Sequence, residues 1–446
     1  MVFFLSTFTD IEDMRVQTNA SATDCNLLAN KSDATAASQV KNKLNSTPAT
    51  SIKNTLNSTA TTSVKNKLNS TVTTPANNKL NRPVSTPVNN KSTSFDRDLF
   101  TNTSAKLNTA QIKNHRLFYP LSWKPTLNPY ASTMIQEMAD WLTELEILKD
   151  RETVKILQEE RADLYGGYPF PFASFKKLKG LTKFLALWMV FDDVAIESSN
   201  DYWETNNVSI EDYIEAMRGG SLSENTDVFL RAWWEVGQCF AESMSQKWLD
   251  RMANNFAHWL RETIRERETY TALKNAGKLP DLNTYFGIRC TSVGVLETLH
   301  LIEYAGDFEL PDEVHNHPII KALHELGTKL IFLSNDIVGL EKDLRSGWPN
   351  TVTILQQEYG LTLSDALTQA VELHNDCVFS FIDAESKIPS FGREIDPFVR
   401  GYVEGMRFVV RGIAQYQYDA ERYQWKRELA PGKAPFAVSL ASFVDK

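Results

Sequence analysis

From about residue 106 to residue 446 the sequence predicts a single all-α domain, preceded by a disordered extension over residues 1–105. Three observations carry that expectation. Apolar residues in the body recur at three- and four-residue steps, the period of an amphipathic helix. Alternating β-branched runs, which would mark strands, are scarce. The extension, by contrast, holds a twelve-residue unit that repeats from Val40 to about residue 93 and offers little to bury.

The repeats read VKNKLNSTPATS, IKNTLNSTATTS, VKNKLNSTVTTP and ANNKLNRPVSTP, then a truncated VNNKST. Each carries only Val, Ile or Ala and one Leu for burial, too little to offset the entropy of ordering its backbone. The unit is also shorter than the familiar solenoid repeats. Asn45, Asn57 and Asn69 each open an N-S-T sequon. In a secreted chain these would accept glycans; duplication of the unit accounts for the three copies.

In the body, Asn128-Pro129-Tyr130 marks a helix entry. Met134, Met138, Trp141, Leu142, Leu145 and Leu148 then form one face of a helix over 131–148. Similar periodicity covers 176–197, 208–218, 225–246, 247–275, 281–305, 317–343, 350–357, 363–386 and 394–428. Such a series of helices with short connections packs as a many-helix bundle.

Composition narrows the function. A formal charge of -9 excludes a nucleic-acid partner, which needs a clustered Lys/Arg surplus. Cys25, Cys239, Cys290 and Cys377 form no C-x-x-C pair and read as reduced thiols. No window reaches the ~18 consecutive apolar residues of a membrane span. The apolar start Met1–Leu5 lacks a basic flank and a cleavage pattern, so a cytoplasmic location is expected. His315 and His317 sit in a Pro-flanked loop with no ligand at zinc spacing and read as structural, and Lys176, Lys177, Lys179 and Lys183 read as a solvated helix face.

Two acidic helix ends carry the chemistry. The apolar run from Leu178 ends in Asp192-Asp193-Val-Ala-Ile-Glu197. On an α-helix this stacks Asp193 and Glu197 on one face, with Asp192 about 100° away. Carboxylates at the mouth of an apolar helix are costly core residues and useful ligands for a hard cation that also takes waters and phosphate oxygens. The helix KLIFLSNDIVGLEKDLRSGWPN places Asn335, Gly339 and Asp343 at i, i+4, i+8, one stripe about 12 Å long. Asn335 and Asp343 are suited to a second cation site, and Lys342 beside the stripe can reach a metal-bound diphosphate. Each motif alone is equally the solvated end of a helix. Together they suggest two walls of one apolar cavity with a metal rim.

With these residues in place the sequence resembles the class I terpene synthases of the microbial, single-domain type. That family pairs a D-D-x-x-x-D/E motif, here Asp192-Asp193-Val-Ala-Ile-Glu197, with an N-D-x-x-S/T-x-x-K-E motif, here Asn335-Asp336-Ile-Val-Gly339-Leu-Glu-Lys342-Asp343. Two further family marks are present: Arg289, 46 positions before Asn335, and the pair Arg422-Tyr423, 87 positions after it. Two positions depart from the pattern: Gly339 stands for Ser or Thr, and Asp343 for Glu.

The resemblance implies a helical bundle around a central apolar cavity. It implies that Asp192, Asp193, Glu197, Asn335, the Gly339 position and Asp343 serve Mg²⁺, three ions in all, with Mn²⁺ the alternative. Arg289, Lys342, Arg422 and Tyr423 would bind the diphosphate of a prenyl substrate. Farnesyl diphosphate is expected, with geranylgeranyl diphosphate the longer alternative, in a monomer or homodimer. The departing diphosphate leaves a carbocation that needs a dry, aromatic pocket. Trp188, Phe191, Tyr285, Phe332 and Tyr416 are the candidates by position, each equally a core residue. Near Ser292-Val293-Gly294 the helix carrying Arg289 is expected to break, and by resemblance a carbonyl there faces the cation. The rival readings are a chain-elongating prenyl diphosphate synthase, which should carry two aspartate-rich motifs, and a non-catalytic helical scaffold.

Overall fold

The computed structural model describes residues 117–197, 202–222, 226–420 and 423. They belong to one compact unit, residues 90–446. The extension with its repeats lies outside the described residues, as does Arg422. Among the described residues the chain is helical and contains no strand. In chain order the elements are α1 (Ala131–Glu144), α2 (Arg151–Glu159), α3 (Ala162–Gly167) and α4 (Phe175–Phe191), which runs into a π-helical turn (Asp192–Glu197). Then come α5 (Tyr202–Asn206), α6 (Ile210–Met217), α7 (Val228–Ala241), α8 (Gln246–Asn275), α9 (Leu282–Ser292) and α10 (Val295–Gly306). The last are α11 (Asp312–His315), α12 (Pro318–Ser346), α13 (Thr351–Tyr359), α14 (Leu363–Ser386) and α15 (Asp396–Asp419).

Local chemistry sets most of these boundaries. Side chains of Ser245, Asp281 and Thr362 cap α8, α9 and α14 by accepting from backbone N–H groups three residues on, which supplies partners for otherwise orphaned donors. Asp150 and Asn350 close capping boxes on α2 and α13. His317 caps α12 ahead of Pro318 at the first helical position. The buried Asn128 side chain donates to the carbonyls of Phe170 and Ala173, 2.9 Å each, and so ties the entry of α1 to the approach of α4.

The differences from the sequence reading are local. α1 ends at Glu144 rather than Leu148, where a turn folds Ile147 and Leu148 back onto Leu142. Two short helices, α2 and α3, occupy a stretch for which no helix was expected. The expected break at Gly294 is present: Gly294 has φ +72°, and a Cβ there would lie 1.8 Å from the Trp188 ring. Only glycine meets both demands.

At the centre of the bundle lies α4, buried from Leu178 to Phe191 with the exception of Lys179. Lys176 and Lys179 on it face solvent as expected, but Lys177 and Lys183 do not. Lys183 is buried, its Nζ 3.1 Å from Glu235 and 4.3 Å from the Trp141 ring centroid. Lys177 bonds to Ser243 and Asp307 and lies over Tyr304. A long stem with a charged tip can line apolar surface in this way when an acid meets the tip. Around α4 pack α1, α3, α7 and α10; α8 lies against α6 and α9, and α12 against α13, α14 and α15. Gly412 lets α15 approach the backbone at Tyr168, where a Cβ would be 2.5 Å from its carbonyl. That approach sets Tyr416 on Tyr165, ring centroids 4.6 Å apart.

Candidate active site

The C-terminal end of α4, the π turn, α8, α9, α12, α15 and Tyr423 together enclose a cleft of about 190 Å³. Its apolar lining is Trp188, Met189 and Val293, the Trp188 ring centroid 3.9 Å from that of Trp259 and its edge against Gly294. Its polar lining includes Asp192 from the π turn, Asn335, Lys342 and Asp343 from α12, and Arg289 from α9. The two acidic helix ends therefore share one cleft.

The π turn changes the first motif. Its hydrogen bonds run from i to i+5, so the α-helical spacing that stacked Asp193 over Glu197 does not apply. Asp192 lines the cleft, whereas Asp193 is fully buried and absent from the lining. The side chain of Glu197 lies outside the described residues.

On α12 the stripe is engaged from both sides. Asn335 donates to the Tyr423 hydroxyl at 2.9 Å, and Asn350 donates to Asp343 at 2.8 Å. Burial pushes the Asp343 carboxyl up to about 6, Lys342 beside it acting the other way. A Cβ at Gly339 would meet the Tyr423 ring at 3.6 Å and the Asp343 carboxylate at 3.8 Å, both ordinary contacts. Asp336 faces inward, where it accepts from Tyr285 at 2.8 Å and from the Thr351 amide and hydroxyl. It anchors α13 and α9 to α12.

Of the aromatic candidates, Trp188, Tyr285 and Tyr416 line the cleft. Phe191 and Phe332 do not. Phe191 is buried among Tyr202, Tyr213, Phe229 and Trp233, and Phe332 against Phe286. Both point to the far side of their helices and serve as core. At the α9–α10 break the Ser292 carbonyl already accepts from Trp259 and Thr263, and the Gly294 carbonyl from Thr298. Val293 lines the cleft between them.

Sequence reasoning missed the contribution of α8. Thr263, Glu266, Arg267 and Tyr270 line the cleft from a segment, RETIRERETYT, whose charge pattern is that of an exposed helix laced with ion pairs. The signal that would have separated the two is the stripe Trp259, Thr263, Glu266, Tyr270 at steps of four, three and four.

Among the described residues no three His, Cys, Asp or Glu side chains converge on one point as a cation cage does. The donors in the lining are dispersed oxygens of Asp192, Asn335 and Asp343. Such a set fits a hard cation that keeps its waters and completes its shell with phosphate oxygens.

Residues 183–379 match the family model for terpene synthase family 2, C-terminal metal binding. Over 298 residues the chain is 26% identical to germacrene A synthase of Nostoc punctiforme, covering 66% of this chain and 91% of that one. It is 25% identical over 302 residues to 10-epi-cubebol synthase of Sorangium cellulosum, covering 67% and 94%. In fold it resembles the crystal structure of linalool/nerolidol synthase from Streptomyces clavuligerus, with a TM-score of 0.60 at 19% identity over 68% of this chain and all of that one. The matched segment spans both acidic motifs, and in sequence and fold the chain is similar to microbial class I terpene synthases.

Proposed function

We propose that this chain is a terpene synthase, a carbon–oxygen lyase acting on phosphates, that ionises farnesyl diphosphate with the help of Mg²⁺ and releases a sesquiterpene. The observation that supports this reading is the composition of one cleft, where Trp188, Met189 and Val293 share the lining with Asp192, Asn335, Asp343 and Arg289. The sesquiterpene synthases among the relatives, such as sesquiterpene synthase 6 of Postia placenta at 28% identity over 274 residues, favour a C15 substrate. Geranylgeranyl diphosphate is the second substrate to test. Asp192, Asn335 and Asp343 would hold the cations, with Glu197 completing the first motif. When bound, the cations supply Lewis-acid stabilisation of the leaving diphosphate. Arg289 and Lys342 donate charge-assisted hydrogen bonds to its oxygens, Tyr423 adds a phenolic donor from the cleft lining, and Arg422 is a further candidate cation for it. Trp188, Tyr285 and Tyr416 present ring faces to the cation, worth roughly 0.5–2 kcal/mol each, while the buried walls exclude water. The Val293 carbonyl, with its neighbours on either side bonded elsewhere, is the dipole left to meet the developing charge.

Incubation with C10, C15 and C20 prenyl diphosphates and Mg²⁺, read by mass spectrometry of extracted terpenes and by diphosphate release, tests this. A C15 product that disappears on chelation supports it. No diphosphate release from any of the three substrates would sink it, and a longer prenyl diphosphate as product would point to chain elongation instead.

A further inference from the structure

Four carboxylates line the cleft among the described residues: Asp192, Glu266, Asp336 and Asp343. Asp336 is committed to Tyr285 and Thr351. Asp192 and Asp343 belong to the proposed cation sites. Glu266 remains, and its place is different. It stands on α8 between Thr263, whose hydroxyl bonds the Ser292 carbonyl next to the apolar Val293, and Tyr270, whose ring packs on Tyr285 and Trp348. It is the one of the four that comes from α8.

The surroundings of Glu266 are unusual for an acid whose side chain is only 12% exposed. Among the described residues its one ion pair is with Arg289, at 3.5 Å. The buried hydroxyls of Tyr270 and Ser292 lie beside it as loose donors that help to hold its carboxyl down, and no close hydrogen bond satisfies either hydroxyl or Nε of Arg289. Unmet polar atoms in a buried wall are costly to keep. Three of them converging on one carboxylate at a cleft mark a wall arranged to meet charge during the reaction.

We propose that Glu266 is the proton acceptor that ends the reaction. The inference rests on the terpene synthase reading above. The allylic C–O bond breaks with its electron pair leaving on the diphosphate. A C–H bond next to the final cationic carbon then breaks; its electron pair becomes the new C=C bond, and the proton becomes the O–H of the Glu266 carboxylic acid. No oxidant or reductant enters, and the product is a hydrocarbon. The ion pair with Arg289 sets the timing. Burial raises the carboxyl of Glu266 and Arg289 opposes that rise. When the diphosphate draws on Arg289, the carboxylate loses its counter-cation and its affinity for a proton grows while a cation occupies the cleft. The Tyr270 and Ser292 hydroxyls are placed to orient its oxygens.

The test follows diphosphate release and product profile in the same reactions of the full chain with Mg²⁺ and farnesyl diphosphate. If the wild type releases no diphosphate, the functional reading fails and takes this inference with it. Given release, Glu266→Gln keeps the shape and removes the basic oxygen. The expected result is a split: release falls by about threefold or less, whereas the share of the main hydrocarbon falls by about tenfold or more in favour of water-captured alcohols or isomeric olefins. Glu266→Asp should return part of the main product. If the Gln variant fails to fold, the same shift should appear in the wild type as acidification protonates Glu266. An unchanged profile in the Gln variant, or one unchanged in acid, overturns the proposal. So does a wild-type product that is solely an alcohol. Loss of release in step with every product in both variants would make Glu266 only a support for Arg289.

Discussion

Two polar clusters are buried in this bundle, and they are built in opposite ways. Away from the cleft, under α10 and α11, the fully buried Glu303 accepts from Trp248 at 3.1 Å, Arg251 at 2.7 Å, the Leu310 amide at 2.6 Å and His315 at 3.1 Å. Its carboxylate oxygens are saturated, and His300 and His324 pack against His315 with ring centroids 5.2 and 6.1 Å away. At the cleft, Glu266 has one long ion pair among the described residues and two hydroxyl neighbours, Tyr270 and Ser292, that reach it only loosely. A buried carboxylate with four donors is joinery between helices. A buried carboxylate left short of donors at the edge of a cavity is free to gain a partner. Satisfaction of hydrogen bonds, more than burial or charge, separates the structural cluster from the reactive one.

That contrast can be broken most forcefully at Glu303. Glu303→Ala strips four donors of their acceptor and leaves Arg251 only its longer ion pair with Asp312, 3.7 Å, and should cost about 3–5 kcal/mol of stability, read by urea unfolding. If the contrast is sound, the folded variant still turns over substrate at low temperature; selective loss of turnover with stability unchanged would contradict it. At the cleft, Asp192→Ala and Asn335→Ala should do the reverse. Each is expected to lower turnover by about 10²–10³, or ~2.7–4 kcal/mol in the barrier, with little change in melting temperature. Wild-type-like turnover in either would overturn the metal assignment.

Acid should find the structural cluster first. Burial holds His324 down to about 3 and His300 well below its ordinary value, with neighbouring His315 and Arg251 acting in the same direction. Lys321 adds to this at His324. These imidazoles are neutral in the fold and take up protons on unfolding, so stability is complete above about 6.5 and drains as pH falls from there toward about 3. Melting measured from pH 7 to 4 should show this slope, and His324→Gln should flatten it.

Smaller effects are expected at Gly339. Its Cβ position is open to ordinary contact, so Gly339→Ser should leave stability within about 1 kcal/mol. It also adds a hydroxyl beside Asp343, and should raise the thermal shift produced by Mg²⁺ plus diphosphate. A collapse in stability would mean that Tyr423 requires the glycine. Smallest of all, removal of residues 1–105 is expected to leave turnover unchanged, since the cleft lining begins at Tyr165; a several-fold loss would give the repeats a part in the domain.

Much of the site was legible in the sequence because it is local. Asp192, Asn335, Lys342 and Asp343 follow apolar helical runs, and a carboxylate in such a place needs a reason. Arg289 and Tyr423 were found through family spacing, and both line the cleft. Phe191 and Trp188 show the limit. They are three residues apart on one helix and equally apolar, yet Phe191 fills an aromatic core while Trp188 closes the cleft. Glu266 was hidden for the same reason, among charges that look solvated.

By itself the sequence determined the helical class, most helix boundaries, the break at Gly294 and the two acidic ends. Each is set within a few residues by periodicity, caps, glycine and the cost of burying charge. The tertiary structure decided how each helix is turned about its axis. It put Asp192 in the cleft and Asp193 in the core, drew Lys183 inward onto Glu235, and brought Glu266 to the cavity wall. Rotation about a helix axis is fixed by side chains that meet across the bundle, and those contacts join residues far apart in the chain.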